Sequence, residues 1–157
     1  MPEKIKVALV GLGNCFSGLI QGIEYYSKNP SQKVTGIIHE NLRDYTIHDI
    51  EFVAGFDVGA NKVGKPINDA IYELPNMVNW IDKNDMPKAN GNVYESPALD
   101  GVGIWVENKV KPIESGKSES ELREEIIKVL EETGTEIIVS YLPVGSEKAT
   151  QFWAQVC

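Results

Sequence analysis

The apolar positions change their period along the chain, and each change marks an element. Residues 4–10, Lys-Ile-Lys-Val-Ala-Leu-Val, are a short, nearly continuous apolar run rich in β-branched residues. This pattern predicts a strand buried on both faces, as in parallel sheets. The glycine-containing stretch 11–18 follows, and then Leu19, Ile20, Ile23 and Tyr26 recur at helical spacing until Lys28-Asn-Pro30 stops the helix. Val34–Ile38 reads as a short extended piece and 41–49 as connection. Ile50–Asp57 alternates, which predicts a second strand ending at an acid. A helix is expected within 61–72, its regular part starting near Pro66 in the first helical position.

Residues 73–117 are an irregular insertion rich in Pro, Asn, Lys and Gly, within which 102–106 is either a third strand or an irregular excursion. Order resumes at Ser118, which forms a capping box with Glu121. Leu122, Ile126, Ile127 and Leu130 make one helix face, and Gly134 closes it. Glu136–Pro143 predicts another apolar strand. Gly145-Ser-Glu147 starts a last helix, with Ala149, Phe152, Trp153 and Val156 periodic. Strands alternating with helices give an α/β class with a mostly parallel sheet. Only three or four strands are readable, where a doubly wound dinucleotide fold has six. The last helix runs to Cys157 without a glycine cap or polar tail. The expectation is a single Rossmann-like domain over 1–157, incomplete at its C-terminus. One sheet edge should then be unpaired and prone to association, and Phe152 and Trp153 should be exposed unless something covers them.

Composition narrows the function classes. The chain has 157 residues, 42% hydrophobic and 24% charged, which suits a globular domain with its own core. Fifteen basic against 23 acidic residues give a net charge of −8, a surface that disfavours nucleic acid. No run approaches a membrane span, and the N-terminus lacks a signal-peptide pattern, so the expected location is the cytoplasm. Cys15 and Cys157 lack metal-ligand spacing, and His39 and His48 have no cysteine beside them, so no metal site is expected. Both histidines read as surface groups, Trp80, Trp105 and Trp153 as packing residues, and Glu119–Glu125 as a solvated helix face.

The chemistry is carried by the glycine turn. Gly11 and Gly13 follow a strand and open a helix, the setting that the dinucleotide fingerprint requires. The first permits a tight turn and the second a close approach of pyrophosphate to the helix N-terminus. Phe16 stands at the third glycine position, and Gly18 is the candidate to relieve helix–strand packing instead. Asp57, closing the second strand, is suited to accept bonds from the adenosine ribose hydroxyls, although the gap is longer than the usual twenty or so residues. An acid there repels a 2′-phosphate and favours NAD over NADP, with Asn61 and Lys62 the opposing features. Cys15 sits at a helix N-terminus but has no histidine partner, so a packing or cofactor-facing role is expected.

Several blocks in order carry a family resemblance: Val10-Gly-Leu-Gly-Asn-Cys15, Gln21-Gly-Ile-Glu-Tyr-Tyr26, residues 49–57 with Lys62-Val-Gly-Lys65, and Ser140-Tyr-Leu-Pro-Val-Gly-Ser-Glu147. Together they resemble the N-terminal part of inositol-3-phosphate synthase (myo-inositol-1-phosphate synthase) of the short archaeal and bacterial branch. The resemblance implies an intramolecular isomerase of inositol and phospholipid biosynthesis. Such an enzyme converts D-glucose 6-phosphate to 1D-myo-inositol 3-phosphate through oxidation, enolisation, aldol cyclisation and reduction with regenerated NAD. It further implies a homo-oligomer, a tetramer in the family. Carried over by residue, Gly11, Leu12, Gly13, Asn14 and Cys15 match the pyrophosphate turn, and Asp57 matches the ribose carboxylate. Ser140, Tyr141, Leu142 and Pro143 match the segment passing the nicotinamide side, and Leu99-Asp100 borders the adenine. The family's catalytic lysines, sugar-phosphate site and oligomer-forming sheet have no counterpart here, so no catalytic residue is assigned and the chain alone is expected to be inactive. Lys109, Lys111 and Lys117 lie in the irregular stretch, and Lys128 and Lys148 on helices, so no basic cluster for an enolate is in view. Two other readings stay open: another NAD-dependent sugar-phosphate dehydrogenase, and a non-enzymatic NAD-binding module.

Overall fold

A computed structural model describes residues 3–28, 36–103 and 107–157. Four parallel strands, β1 (Ile5–Val10), β2 (Ile50–Asp57), β3 (Asn92–Glu95) and β4 (Ile137–Ser140), lie in the order β3-β2-β1-β4. This is the order of the first half of a doubly wound sheet, with its switch point between β1 and β4. The α/β class with a parallel sheet is as expected, and β2 has the predicted bounds.

Alternation along β1 explains its continuous apolarity. Val7 and Leu9 face one layer, with Leu12, Phe16 and Ile20 of the turn and α1 (Asn14–Lys28) and Ile67 and Ile71 at α2 (Ile67–Ala70). Ala8 and Val10 face the other, with Ala54, Phe56, Ile126 of α3 (Glu119–Thr133) and Phe152 and Trp153 of α4 (Glu147–Val156). A helix layer on each face is the only way to bury both sides of such a strand. The expected exposure of Phe152 and Trp153 is therefore corrected: they are 2% and 4% exposed. Trp153 packs on Phe56 with centroids 4.9 Å apart, and the Arg123 guanidinium lies 4.8 Å over the Phe152 ring.

Elsewhere the local signals hold in different degrees. The Ser118–Glu121 capping box forms, and Gly134 ends α3 in the left-handed region at φ 64°. The helix expected from Pro66 is a single turn, and Pro66 caps it rather than occupying its first position. The third strand is Asn92–Glu95. Residues 102 and 103 are not in a strand, and the rest of the 102–106 candidate, with Trp105, lies outside the described residues. Of the expected 34–38 extended piece, residues 34 and 35 also lie outside the described residues, and 36–38 are not in a strand. Trp80 is 72% exposed, not a core residue. Its ring lies over Gly18, where a Cβ would meet it at 3.3 Å, so Gly18 makes room for this tryptophan and not for a strand.

The β1–β2 register slips between Val7 and Ala8, which leaves Val53 as the extra residue of β2. The backbone of Val53 lies against Gly91, at the entry to β3. A Cβ at Gly91 would sit 2.5 Å from the Val53 carbonyl carbon and oxygen and 2.8 Å from Ile67. Backbone cannot yield as a side-chain tip can, so Gly91→Ala is expected to cost about 1–3 kcal/mol or more and to loosen β3. Urea denaturation checks this, and an unchanged midpoint would remove the packing argument.

Ser146 precedes α4 but its hydroxyl bonds the Pro143 carbonyl and does not cap the helix. The cap comes from Asp100, whose carboxylate oxygens accept from the amides of Lys148 (2.8 Å) and Ala149 (2.9 Å). These bonds, chiefly that from Lys148, hold the Asp100 carboxyl below its ordinary value. A depressed carboxyl stabilises the fold above its unfolded-state value of about 4, and that stabilisation is lost as pH falls through the lower folded value. Asp100→Asn is thus expected to be less stable at neutral pH and to lack this carboxyl's share of the further loss below pH 4, so that its acid-linked slope is reduced. Circular dichroism along an acid titration reads this, and identical slopes in both proteins would contradict the cap.

Candidate functional site

A cleft of about 210 Å³ opens where β1, β2 and β4 end and the chain leaves β3. Crevices at the carboxyl ends of parallel strands, beside the switch point, are where such sheets bind ligands. Gly11, Gly13 and Asn14 line one wall, Asp57, Val58 and Lys62 another, and Tyr141, Leu142 and Pro143 a third. Seven of the ten residues expected from the sequence thus meet in one cavity. Leu12, Cys15 and Ser140 do not line it. Leu12 is wholly buried in the α1-side core, Cys15 is exposed on the first turn of α1, and Ser140 is the exposed last residue of β4.

The turn is built by the strands around it. Gly11 has φ 81°, a region that favours glycine, and donates its N–H to the Phe56 carbonyl at 2.9 Å. A Cβ there would lie 3.2 Å from the Tyr141 carbonyl oxygen, so the turn packs against the exit from β4. Gly13 is the opposite case. Nothing lies within 4 Å of where its Cβ would be, and that empty position is on the cleft wall. Asn14 opens α1 immediately afterwards, and the first N–H groups of a helix have no intrahelical partner. A Cβ-free backbone at a helix N-terminus is a cradle that fits a pyrophosphate.

Asp57 is 8% exposed, and its carboxylate is already in use. Oδ1 accepts from the Gly59 amide at 2.8 Å and Oδ2 from the Leu12 amide at 2.8 Å. Carboxylate oxygens have further lone pairs, so acceptor capacity toward a ribose remains on the cleft side. Lys62, only 4% exposed, stands 3.7 Å from Oδ2 and donates to the Leu12 carbonyl at 2.7 Å. Asn76 donates to the same carbonyl at 2.9 Å and accepts from Lys62 at 3.4 Å. Lys62 is therefore a buried partner of Asp57 and not a free surface cation.

The insertion supplies the rest. Asn14 Oδ1 accepts from the Met77 amide, and the buried Gln21 accepts from the Trp80 and Ile81 amides and donates to the Val78 carbonyl. These bonds strap residues 77–81 onto α1. Ser96, Gly101, Val102 and Val110 complete the cleft as a mostly apolar wall. The sequence gives no periodic signal for these residues. Asn76, Gln21 and Lys62 are polar residues that prove buried, and no local pattern in the sequence announces it. Asp100, expected at the adenine by resemblance, spends its carboxylate on α4. His39 and His48 are exposed, as expected.

No family model matches the chain. The inositol-3-phosphate synthase of Mycolicibacterium smegmatis is 40% identical over 153 residues, covering 97% of this chain and 40% of that protein. The synthase of Corynebacterium glutamicum is 41% identical over 157 aligned residues, covering 96% of this chain and 40% of its own length. The crystal structure of Ari2 superposes with a TM-score of 0.77 at 27% identity, over 98% of this chain and 43% of that one. A myo-inositol-1-phosphate synthase-related protein from Thermotoga maritima superposes with a TM-score of 0.74 at 20% identity, over 98% and 44%, and so shares the fold. The chain spans about 40% of the length of the curated relatives it matches. At about 40% identity along almost every residue, the chain is similar to one part of inositol-3-phosphate synthases.

Proposed function

We propose that these residues form the NAD-binding part of an inositol-3-phosphate synthase, serving the isomerisation of D-glucose 6-phosphate to 1D-myo-inositol 3-phosphate. The observation that carries this reading is the empty Cβ position of Gly13 on the wall of the cleft, at the start of α1. It gives a pyrophosphate room to meet backbone amides. Bound NAD supplies a hydride acceptor that is restored when the hydride returns. The chain's own residues bind and orient. Gly11 and Gly13 shape the turn, Asp57 accepts from the ribose, and Tyr141, Leu142 and Pro143 wall the nicotinamide end. The two charged residues lining the cleft, Asp57 and Lys62, offset each other, so neither is free to stabilise an enolate oxygen. Catalysis is accordingly assigned to residues beyond these 157.

Isothermal calorimetry of the chain with NAD is expected to show saturable one-to-one binding, and no heat at millimolar NAD would sink the reading. The same 157 residues are expected to form no inositol phosphate from glucose 6-phosphate. Product from this chain alone would overturn the assignment of catalysis elsewhere.

A further inference from the structure

Lys62 is the least expected residue of the cleft. A lysine with a 5% exposed side chain needs a compensating structure, and the structure surrounding it is specific. Its ammonium has three donors, and three acceptors face it: the Leu12 carbonyl at 2.7 Å, Asn76 Oδ1 at 3.4 Å and Asp57 Oδ2 at 3.7 Å. Asp57 Oδ2 in turn takes the Leu12 amide at 2.8 Å. Leu12 lies between Gly11 and Gly13, so the ion pair holds both polar atoms of the middle residue of the turn, with Asn76 a second donor to the carbonyl at 2.9 Å.

We infer that Lys62 is a positioning residue: with Asp57 it clamps the Leu12 peptide and so fixes the glycine turn, and by offsetting the Asp57 charge it sets how strongly the cleft discriminates against a 2′-phosphate. The second half rests on the NAD reading above. The first does not. A clamp on the amide alone would leave the turn free to rock about Gly11 and Gly13, whose backbones are the permissive ones. Holding the carbonyl as well removes that freedom. The charge argument follows from the same contact. An acid at the end of β2 faces the ribose edge, and a bare carboxylate repels a phosphate. One with an ammonium 3.7 Å away repels it less.

The test uses the 157-residue chain and two readouts. Amide exchange followed by NMR in the ligand-free chain compares Leu12 with Val10, a strand amide in the same region. Lys62→Met is expected to speed exchange at Leu12 by at least about tenfold relative to Val10. Exchange raised equally at both would mean only a global loss of stability and would overturn the clamp. Calorimetry with NAD and NADP gives the second readout. Lys62→Met is expected to shift preference further toward NAD, and Asp57→Asn toward NADP, each by about tenfold, with the double variant back near the unaltered ratio. Ratios unmoved by either single change would overturn the charge role. Should Lys62→Met not fold, Lys62→Gln decides. It keeps a donor for the Leu12 carbonyl and removes the charge, so the preference should shift while Leu12 protection stays, and an unshifted preference counts against the inference. If the unaltered chain binds neither dinucleotide, the NAD reading and the charge role fall together, and the exchange ratio alone decides the clamp.

Discussion

Gly13→Val is expected to abolish NAD binding while leaving the fold intact. A Cβ at residue 13 meets nothing within 4 Å, so the protein has no clash to relieve. The backbone is not in the left-handed region there, in contrast to Gly11. Stability should stay within about 0.5 kcal/mol of the unaltered chain, as for other substitutions that touch nothing. The branched side chain would instead occupy the cleft where a pyrophosphate would approach the first turn of α1. A loss of at least a hundredfold in affinity, about 2.7 kcal/mol, is expected. Calorimetry paired with urea denaturation separates the two effects. Unchanged affinity in a folded variant would count against the whole glycine turn as a dinucleotide site. Gly11→Ala is the useful contrast, because strain at φ 81° and the Tyr141 carbonyl at 3.2 Å make it a folding variant first.

Asp57→Ala is expected to be the most destabilising change at the site, for a reason separate from any ligand. It removes the acceptors of the Leu12 and Gly59 amides and leaves Lys62 buried beside a truncated side chain. Losing one partner of a buried pair costs about 3–5 kcal/mol, since the other charge stays out of water. The midpoint of urea unfolding should fall accordingly, and a loss below about 1 kcal/mol would show that the pair is open to solvent. If enough folded protein remains, NAD should weaken more than NADP. A charge-assisted bond to the ribose is worth roughly 1.5–3 kcal/mol, whereas NADP loses a repulsion as well. Equal losses for both would take Asp57 out of the ribose role.

Elements whose causes are local were legible in the sequence. The β1 run, the glycine turn, β2 up to its acid, and the capped helix α3 each carry their signals within a few residues, and the structure follows them. β3 was hidden because it is four residues long and begins with an exposed asparagine and ends in a glutamate. Its place is set by pairing with β2 and by the close approach of Gly91 to Val53, neither of which has a local pattern. Phe152 and Trp153 were misjudged for a related reason. A helix periodicity shows which side is apolar but not whether Phe56, Ile126 and Arg123 will be there to cover it. In the site, glycines and Asp57 were readable because their types match a known geometry. Lys62 and Asn76 were not, because nothing short of the fold tells a buried lysine from a surface one. The same holds for Asp100, which caps a helix 48 residues away.

The clamp on Leu12 also bears on how the protein is made. The turn comes early in the chain, yet its middle peptide is held by side chains 45, 50 and 64 residues further on. A ribosome releases the glycine turn long before it releases Asp57, Lys62 and Asn76, and at several to some twenty residues per second the wait lasts seconds. Until Asp57 is released β1 has neither sheet neighbour, because β2 begins 40 residues after β1 ends and β4, the other one, ends only at Ser140. The most apolar strand of the molecule therefore spends the longest time unpaired. A nascent chain that has not yet released β2 should present it to chaperones, and one that has released residue 76 should already protect the turn from proteases.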